Sequence, residues 1–202
     1  MSETLSNEKR GLILDAARKR FAYYGFSKVT MDEIAADVGM GKASLYYYFP
    51  TKESLYEMMV REEAAQFLST IEKSMKQGYP ASKMFRVYAS ERMEHFKKLA
   101  NLRALSFQTA TDSKSSLHDL FKEFQQNEID IIHQILSHGR KSGEFDLQNT
   151  RRSAEVVIQM FYGARSWHLK MRHNVLDDET FDAMKNSTRE MTEMILNGIL
   201  KR

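Results

Sequence analysis

Apolar residues recur at the spacing of an α-helix along almost the whole chain, and very few residues interrupt that pattern. Only two prolines, Pro50 and Pro80, and nine glycines occur among the 202 residues. No alternation typical of a β-strand holds for more than a few positions. The sequence therefore predicts an all-α protein of about nine helices, over 8–24, 31–38, 42–49, 52–77, 82–98, 101–111, 115–140, 149–173 and 178–201.

The composition excludes several classes of protein. A hydrophobic content of 42% and a charged content of 28% suit a soluble globular chain. The absence of cysteine excludes disulfides and thiolate metal sites. No apolar stretch approaches the length of a membrane span, and the first residues lack the basic and apolar segments of a signal peptide. We therefore expect a cytoplasmic protein with no membrane partner.

Two short helices joined by a tight glycine turn are predicted near the N terminus. A capping box, in which Thr30 and Glu33 bond each other's backbone amides, opens the helix over 31–38. Gly39 ends this helix shortly before the next one, over 42–49. This size and spacing are those of a helix-turn-helix, whose second helix lies in the major groove of DNA.

Four consecutive aromatic residues, Tyr46 to Phe49, occupy the second of these helices. They cannot all be buried, because neighbours on a helix point about 100° apart. Leu45 and Phe49 are four apart and are predicted to face the core, so that Tyr46 and Tyr47 project outwards. An exposed tyrosine can cover apolar surface with its ring and bond a phosphate oxygen with its hydroxyl. Packing of the tyrosines on the following helix, as ordinary core, remains an alternative.

Residues 8–56 resemble the DNA-binding domain of the TetR (tetracycline-repressor-like) family of transcriptional regulators. The match is long and ungapped, at Thr30, Ile34, Ala35, Gly39, Leu45, Tyr46, Tyr48, Phe49, Lys52, Glu53 and Leu55. The chain departs from the family's pattern at Met40, Gly41 and Thr51; Gly41 lacks a hydroxyl that could cap the second helix. The resemblance implies DNA contacts from Thr30, Lys42, Ser44, Tyr46, Tyr47 and Lys52. We add Lys28, just before the capping box, as a phosphate partner.

The resemblance also implies a division into a helix-turn-helix domain, 1–51, and a helical ligand-binding and dimerisation domain, 52–202. It places an effector cavity inside the bundle and a dimer contact on the last two helices. The cavity candidates are large apolar residues and two charged ones: Phe85, Tyr88, Phe96, Phe107, Phe121, Phe124, Glu128, Met160, Arg165 and Trp167. The dimer candidates follow the spacing of packed helices: Phe161, His168, Phe181, Met184, Thr188, Met191 and Ile195. Packing of this seam within its own chain is the alternative.

Two of the cavity candidates are charged residues that interrupt apolar stripes, Glu128 in the helix over 115–140 and Arg165 in the helix over 149–173. Because buried charges need partners, either the two pair with each other or one of them awaits a charged ligand. A third possibility is that both extend to solvent. An unpaired Glu128 would favour a cationic ligand.

The sequence thus predicts a homodimeric, ligand-responsive transcriptional repressor. It would bind a palindromic operator in double-stranded DNA and be released by a small hydrophobic or amphipathic inducer. No phosphate loop, nucleophile elbow or metal-binding histidine pair occurs, so we expect no enzyme activity, cofactor or metal. Two alternatives remain: an α-helical small-molecule binder or enzyme whose helix-turn-helix only packs, and an adaptor that binds protein through its tyrosines.

Overall fold

The computed structural model describes residues 2–101, 116–171 and 177–200, and within these ranges the chain is helical without a β-strand. A 3-10 turn, Phe26–Lys28, accompanies eight α-helices: α1 (Ser2–Tyr24), α2 (Met31–Asp37), α3 (Lys42–Tyr48), α4 (Lys52–Lys76), α5 (Ala81–Asn101), α6 (Ser116–Ser142), α7 (Thr150–Met171) and α8 (Asp178–Ile199). The all-α prediction is confirmed. The predicted helix over 101–111 falls, apart from its first residue, outside the described residues, and so does Phe107.

The chain divides into two compact units: Met1–Ala64 with Lys98–Leu120, and Ala65–Lys97 with Phe121–Arg202. Helix α4 contributes residues to both. The division between 1–51 and 52–202 that the sequence suggested remains a prediction.

The core of the first unit forms where α1, α2, α3 and the start of α4 bring their apolar stripes together. Its buried members include Ile13, Ala17, Phe21, Ile34, Leu45, Phe49, Leu55 and Met59. The predicted capping box is present at the start of α2. The amide of Thr30 donates to Glu33 Oε2 at 2.8 Å, and the amide of Glu33 donates to Thr30 Oγ1 at 3.3 Å.

The turn between α2 and α3 depends on Gly39, whose φ of 65° is in the left-handed region that glycine adopts without strain. Its amide donates to the carbonyl of Ala36 at 3.1 Å, and the amide of Met40 donates to the carbonyl of Ala35 at 2.9 Å. This pair of bonds closes the end of α2. Gly41 then begins α3 without a side-chain cap, as its missing hydroxyl predicts.

The second unit has a large apolar core to which α4, α5, α6, α7 and α8 all contribute. Its buried members include Phe67, Phe85, Tyr88, Ile132, Ile135, Ile158, Phe161 and Leu196. Gly139 allows a close approach in this core, because a Cβ there would overlap the Phe145 ring and come within 2.8 Å of Ala81 Cβ. After Gly139 the chain turns, and the carboxylate of Glu144 accepts bonds from the amides of Ala81 (2.6 Å) and Ser82 (3.1 Å) at the start of α5.

Candidate nucleic-acid interface and buried charge cluster

The four consecutive aromatics of α3 separate into an inward and an outward set. Leu45 is fully buried and Phe49 is 3% exposed, whereas Tyr46 is 38% and Tyr47 83% exposed. Tyr48 is half-buried, and its ring meets that of Tyr47 edge-on at 5.5 Å between centroids. The predicted orientation of these side chains is confirmed, and the alternative in which the tyrosines are ordinary core is excluded for Tyr46 and Tyr47.

An open depression of about 360 Å³ lies on this outward face. It is lined by Lys9, Met40, Ala43, Ser44, Tyr47 and Tyr48. Sequence reasoning missed Lys9, which is on α1 and lines the depression together with residues of α3. The dipeptide Lys9–Arg10, exposed on α1, is the signal that could have drawn attention to it.

The remaining predicted DNA contacts differ in how free their polar groups are. Lys28 is exposed. The Lys42 ammonium lies 2.8 Å from Asp32 Oδ2, in an exposed pair of the kind that contributes little stability and exchanges readily for another anion. The Thr30 hydroxyl donates to the Glu33 carboxylate at 2.8 Å, so its first role is to cap α2.

Lys52 has contacts within the protein that the sequence did not predict. Its ammonium donates to the carbonyls of Phe26 (2.8 Å) and Val29 (3.0 Å) and lies 4.4 Å from the centroid of the Phe26 ring. Two of its three N–H groups are therefore taken by the turn that precedes α2. Lys52 thus fastens that turn to the start of α4, a contact that the motif spacing does not reveal, and its assignment as a DNA contact stays a prediction.

A charged pair holds α2 against α1. The guanidinium of Arg20 binds both carboxylate oxygens of Asp37, with Nη2 to Oδ1 at 2.7 Å, and lies 3.4 Å from Glu33. The hydrogen bond from Arg20 lowers the pKa of the Asp37 carboxyl below its ordinary value. The pair thus fixes α2 on α1 and leaves α3 to present its outer surface.

In the second unit Glu128 is fully buried, and its carboxylate has three donors. It accepts from Arg92 Nε at 2.6 Å, from the Tyr88 hydroxyl at 2.7 Å and from the Tyr162 hydroxyl at 2.9 Å. The predictions that Glu128 pairs with Arg165 or extends to solvent are therefore wrong. Arg92 was not predicted, although it lies four residues after Tyr88 on the same face of α5.

The ionisation of this group follows from its burial. Burial and the adjacent Glu128 carboxylate raise the pKa of the Tyr88 hydroxyl well above its ordinary value. Burial alone would lower the pKa of Arg92, but the Glu128 carboxylate more than compensates and raises it. Arg92 therefore stays protonated 2.6 Å from the Glu128 carboxylate. Burial also raises the pKa of Tyr162, and both tyrosines remain neutral donors.

Arg165 lies beside this pair, and none of the described residues gives it an acceptor. Its guanidinium carbon is 4.6 Å from the Tyr162 ring centroid and 5.1 Å from that of Phe96. Its Nε atom is buried, and no hydrogen-bond partner for it occurs in the part of the chain that the structure describes. Burial, followed by the positive charge of Arg92, lowers the pKa of Arg165. We call Tyr88, Arg92, Glu128, Tyr162 and Arg165 the buried charge cluster.

The other predicted cavity residues are only partly brought together. Phe85 is fully buried, Phe96, Phe121 and Phe124 are half-buried, and Phe124 packs its ring against Phe67 and His95. Met160 and Trp167 are 41% and 63% exposed, outside the buried core of the second unit, and their assignment as cavity residues stays a prediction. They lie on a different face of α7 from Arg165, because positions five and two residues away point to other sides of a helix.

The predicted dimer seam is largely internal. Four of its members are buried within their own chain: Phe161, Phe181, Met184 and Thr188. Phe181 and Met184 pack with Met93 of α5, and the Thr188 hydroxyl lies 3.4 Å from the sulfur of that methionine. His168, Met191 and Ile195 are half-buried. The spacing thus identified a packed helix correctly, but for these four residues the neighbour is α5 and not a second protomer.

A different set of apolar side chains is exposed on α7 and α8. Four of them are on α7, at a spacing of four, seven and four residues: Val156 (39% exposed), Met160 (41%), Trp167 (63%) and Met171 (56%). The fifth, Met194 (75%), is on α8. We call these five residues the exposed stripe. Isolated exposed apolar residues are ordinary, but a stripe along one helix face is typical of an interaction surface.

No helix in the described ranges is long and apolar enough to cross a membrane. Among the same residues, no group of three or more histidine, aspartate or glutamate side chains is placed to hold a metal ion.

Comparisons with known proteins place these features in context. The sequence profile of the family described as "Bacterial regulatory proteins, tetR family" matches residues 13–59. The crystal structure of a transcriptional regulator from Cytophaga hutchinsonii is 36% identical, with a TM-score of 0.87 over 96% of this chain and 99% of that one. The fatty acid metabolism regulator protein of Bacillus subtilis is 26% identical over 93% of both chains. The structure of FadR from Bacillus subtilis in complex with stearoyl-CoA is 23% identical, with a TM-score of 0.63 over 90% and 96%.

The fold and the outward face of α3 define a helix-turn-helix transcriptional regulator. The similar proteins are regulators and not enzymes, and the same holds for this chain at the level of its family. The chain belongs to the TetR family of bacterial regulatory proteins.

Proposed function

We propose that the protein is a ligand-responsive repressor that binds a palindromic operator as a homodimer and is released by a small hydrophobic or amphipathic inducer. The observation that carries the DNA-binding part is the outward face of α3, with Tyr47 83% exposed above a depression flanked by lysine. A tyrosine so exposed contributes nothing to the core. Its position on the second helix of a helix-turn-helix suits it for contact with DNA.

The proposed DNA contacts are grouped around that helix: Lys9, Lys28, Thr30, Lys42, Ser44, Tyr46 and Tyr47. Lys9, Lys28 and Lys42 are exposed cations that can bind phosphates. Lys42 would exchange Asp32 for a phosphate oxygen. Such contacts position the protein on the duplex, and the tyrosines and Ser44 would add contacts to phosphates or base edges.

The proposed dimer uses the exposed stripe together with the half-buried His168, Met191 and Ile195. Apolar area on the last two helices remains uncovered in the single chain, and a second copy offers the same surface about a two-fold axis. A symmetric dimer presents two recognition helices, so the operator should be a palindrome with half-sites about 34–36 Å apart, or a multiple of that distance.

The proposed inducer is amphipathic because the second unit combines an aromatic interior with buried charge. Binding sites for small molecules are usually apolar with a few placed polar groups. A relative of similar fold has been solved with stearoyl-CoA, an amphipathic molecule, which supports this class without identifying the ligand here. An inducer can release DNA only through a difference in its affinity for the DNA-bound and free arrangements.

The test begins with selection of a binding site from a random duplex library, followed by titration of that site. Tyr47→Ala should weaken binding about tenfold through a lost phosphate or base contact. Tyr23→Ala is the matched control, because Tyr23 is 77% exposed on α1 but is not among the residues lining the depression.

Lys42→Ala should weaken binding to all DNA sequences alike. It should also reduce the slope of log affinity against log salt by about two, one for each protomer.

Three results would contradict the proposal. Equal binding by the parent and Tyr47→Ala would show that the face is wrongly assigned. A salt slope unchanged in Lys42→Ala would remove that phosphate contact. Failure of the parent to select any duplex would favour the adaptor alternative, in which the tyrosines bind protein.

A further inference from the structure

The buried charge cluster carries an excess of positive charge. Arg92 and Arg165 contribute two cations, Glu128 contributes one carboxylate, and the two tyrosines are neutral donors. Glu128 already accepts three hydrogen bonds, the shortest from Arg92 Nε at 2.6 Å. One positive charge, that of Arg165, is therefore left without a counter-ion among the described residues.

Arg165 is held in place, but the described residues offer its buried Nε no acceptor. It lies on the inward face of α7, four residues after Phe161, and its guanidinium is flanked by the rings of Phe96 and Tyr162. These rings stabilise a cation weakly but accept no N–H bond in the plane of the guanidinium. A buried donor without an acceptor is costly, and an apolar residue of similar size would avoid that cost. The arrangement is explained if another molecule supplies the acceptor.

We propose that Arg165 binds the carboxylate of the effector, and that the effector is an amphipathic organic monoanion. This inference rests on the proposed function, since it identifies the chemical class of the inducer. The planar guanidinium matches a carboxylate with two parallel hydrogen bonds. A single negative charge neutralises the cluster. The neighbouring aromatic rings of Phe96 and Tyr162 offer an apolar surface to the rest of the molecule.

Access and selectivity are consistent with this role. Arg165 as a whole is half-buried although its Nε is enclosed, so that an anion can reach the outer part of the guanidinium. The positive charge of Arg92 lies close by and repels cationic ligands. The reason for favouring a cationic inducer, an unpaired Glu128, is therefore removed, because Glu128 is occupied by Arg92.

The direct test is calorimetric titration of the full chain, in the absence of DNA, with matched pairs of probes. Dodecanoate and 2-naphthoate are compared with dodecanol and 2-naphthol, which have the same apolar parts and no charge. Dodecyl phosphate distinguishes a carboxylate from a phosphate headgroup, and dodecyltrimethylammonium tests the opposite charge. We expect a carboxylate to bind about ten- to a hundredfold more tightly than its alcohol, the usual effect of a charge-assisted hydrogen bond.

Variants assign that preference to one side chain. Arg165→Met should abolish the difference between carboxylate and alcohol, and Arg165→Lys should retain part of it. Arg152→Met is the matched control, because Arg152 lies on the same helix with its side chain 64% exposed and pairs only locally with Glu155. The melting temperature of unliganded Arg165→Met should equal or exceed that of the parent, since the variant loses an unsatisfied buried donor.

Specific outcomes would overturn the inference. The inference is contradicted if carboxylates do not bind the parent, if they bind Arg165→Met as tightly as the parent, or if they bind no better than the alcohols. Tighter binding of dodecyl phosphate than of dodecanoate would overturn the carboxylate assignment. A lower melting temperature of unliganded Arg165→Met, with unchanged ligand preference, would show that Arg165 is structural.

A second assay separates this inference from the proposed function. Dodecanoate or 2-naphthoate, whichever binds, should release the parent from its selected duplex and leave Arg165→Met bound. If the parent binds a duplex but no carboxylate, only the anion site is wrong. If carboxylates bind through Arg165 but the parent selects no duplex, the anion site stands and the proposed function is wrong.

Discussion

At the scale of single residues, Glu128 and Arg165 show how differently two buried charges can be accommodated. Glu128 is fully buried and accepts three hydrogen bonds, one of them from Arg92. The Nε of Arg165 is enclosed and has no acceptor among the described residues. The first residue is thus predicted to stabilise the fold, and the second to serve binding at some cost to stability.

Removing the charge of Glu128 should be strongly destabilising. In Glu128→Gln the tyrosine hydroxyls can still donate to the amide oxygen, but the Arg92 guanidinium loses its counter-ion inside the core. We expect the free energy of unfolding to fall by about 3–5 kcal/mol, measured by denaturant titration. Glu193→Gln is the matched control, because Glu193 pairs with Arg86 at 2.7 Å with both side chains more than 40% exposed. That variant should lose about 0–1 kcal/mol.

A loss in Glu128→Gln no larger than in Glu193→Gln would contradict a structural role for the buried pair. Binding of a cationic probe that depends on Glu128 would be equally inconsistent, because it requires the carboxylate to be free of Arg92.

At the scale of helices and turns, the residues from Gly139 to Glu144, at the end of α6, contact the start of α5, which lies far earlier in the chain. Gly139 allows the Phe145 ring to pack against α6, and Glu144 then bonds the first two amides of α5. The start of a helix has amides without partners inside the helix, and a carboxylate there satisfies them and complements the helix dipole. A loop residue therefore acts as the N-terminal cap of a helix that begins more than sixty residues earlier in the chain.

This cap should make stability depend on pH. Partial burial alone would raise the pKa of the Glu144 carboxyl, but hydrogen bonds from Ser82 and the amide of Ala81 lower it below its ordinary value of 4.5. Because the folded pKa is below the unfolded one, the contribution is fully present above pH 4.5 and is lost as the pH falls through the folded pKa. Glu144→Gln should therefore cost about 1 kcal/mol at neutral pH and progressively less in acid.

The measurement is the free energy of unfolding of parent and variant across that pH range. Glu190→Gln, at an exposed position of α8, serves as the control and should follow the parent at every pH. A constant difference between the parent and Glu144→Gln from neutral to acid pH would show that the carboxylate charge does not contribute through this cap.

At the scale of the whole molecule, the exposed stripe is apolar surface that the described part of the single chain does not cover. Met160→Glu would place a carboxylate in the centre of an apolar contact between protomers, where it would be desolvated without a partner. We expect association to weaken by at least tenfold, with monomers detected by sedimentation and correspondingly weaker operator binding. The fold of the protomer should be intact, because Met160 is already 41% exposed.

Leu12→Glu is the matched control, since Leu12 is a similarly large apolar residue, 61% exposed on α1. It should leave the sedimentation of the protein unchanged. An unaltered dimer in Met160→Glu would move the interface away from the exposed stripe, and a parent that is monomeric would remove the dimer altogether.

The sequence by itself determined the features that depend on neighbours along the chain. Three such features are the capping box of Thr30 and Glu33, the end of α2 at Gly39, and the placement of Leu45 and Tyr47 on different faces of α3. All three follow from contacts within a few residues. Such contacts are fixed by helical geometry whatever the rest of the fold does. The helix-turn-helix, the all-α class and the TetR resemblance could be predicted for that reason.

Only the tertiary structure decided which helix each side chain meets. Glu128 was recognised as a buried charge, but its partner Arg92 is on another helix, 36 residues earlier. The stripe of α8 was recognised as packed, but its neighbour proved to be α5. Lys52 matched a DNA-binding motif, yet its ammonium is bound by carbonyls more than twenty residues away. Periodicity fixes which residues share a face of a helix, whereas the partner of that face is set by how whole helices dock.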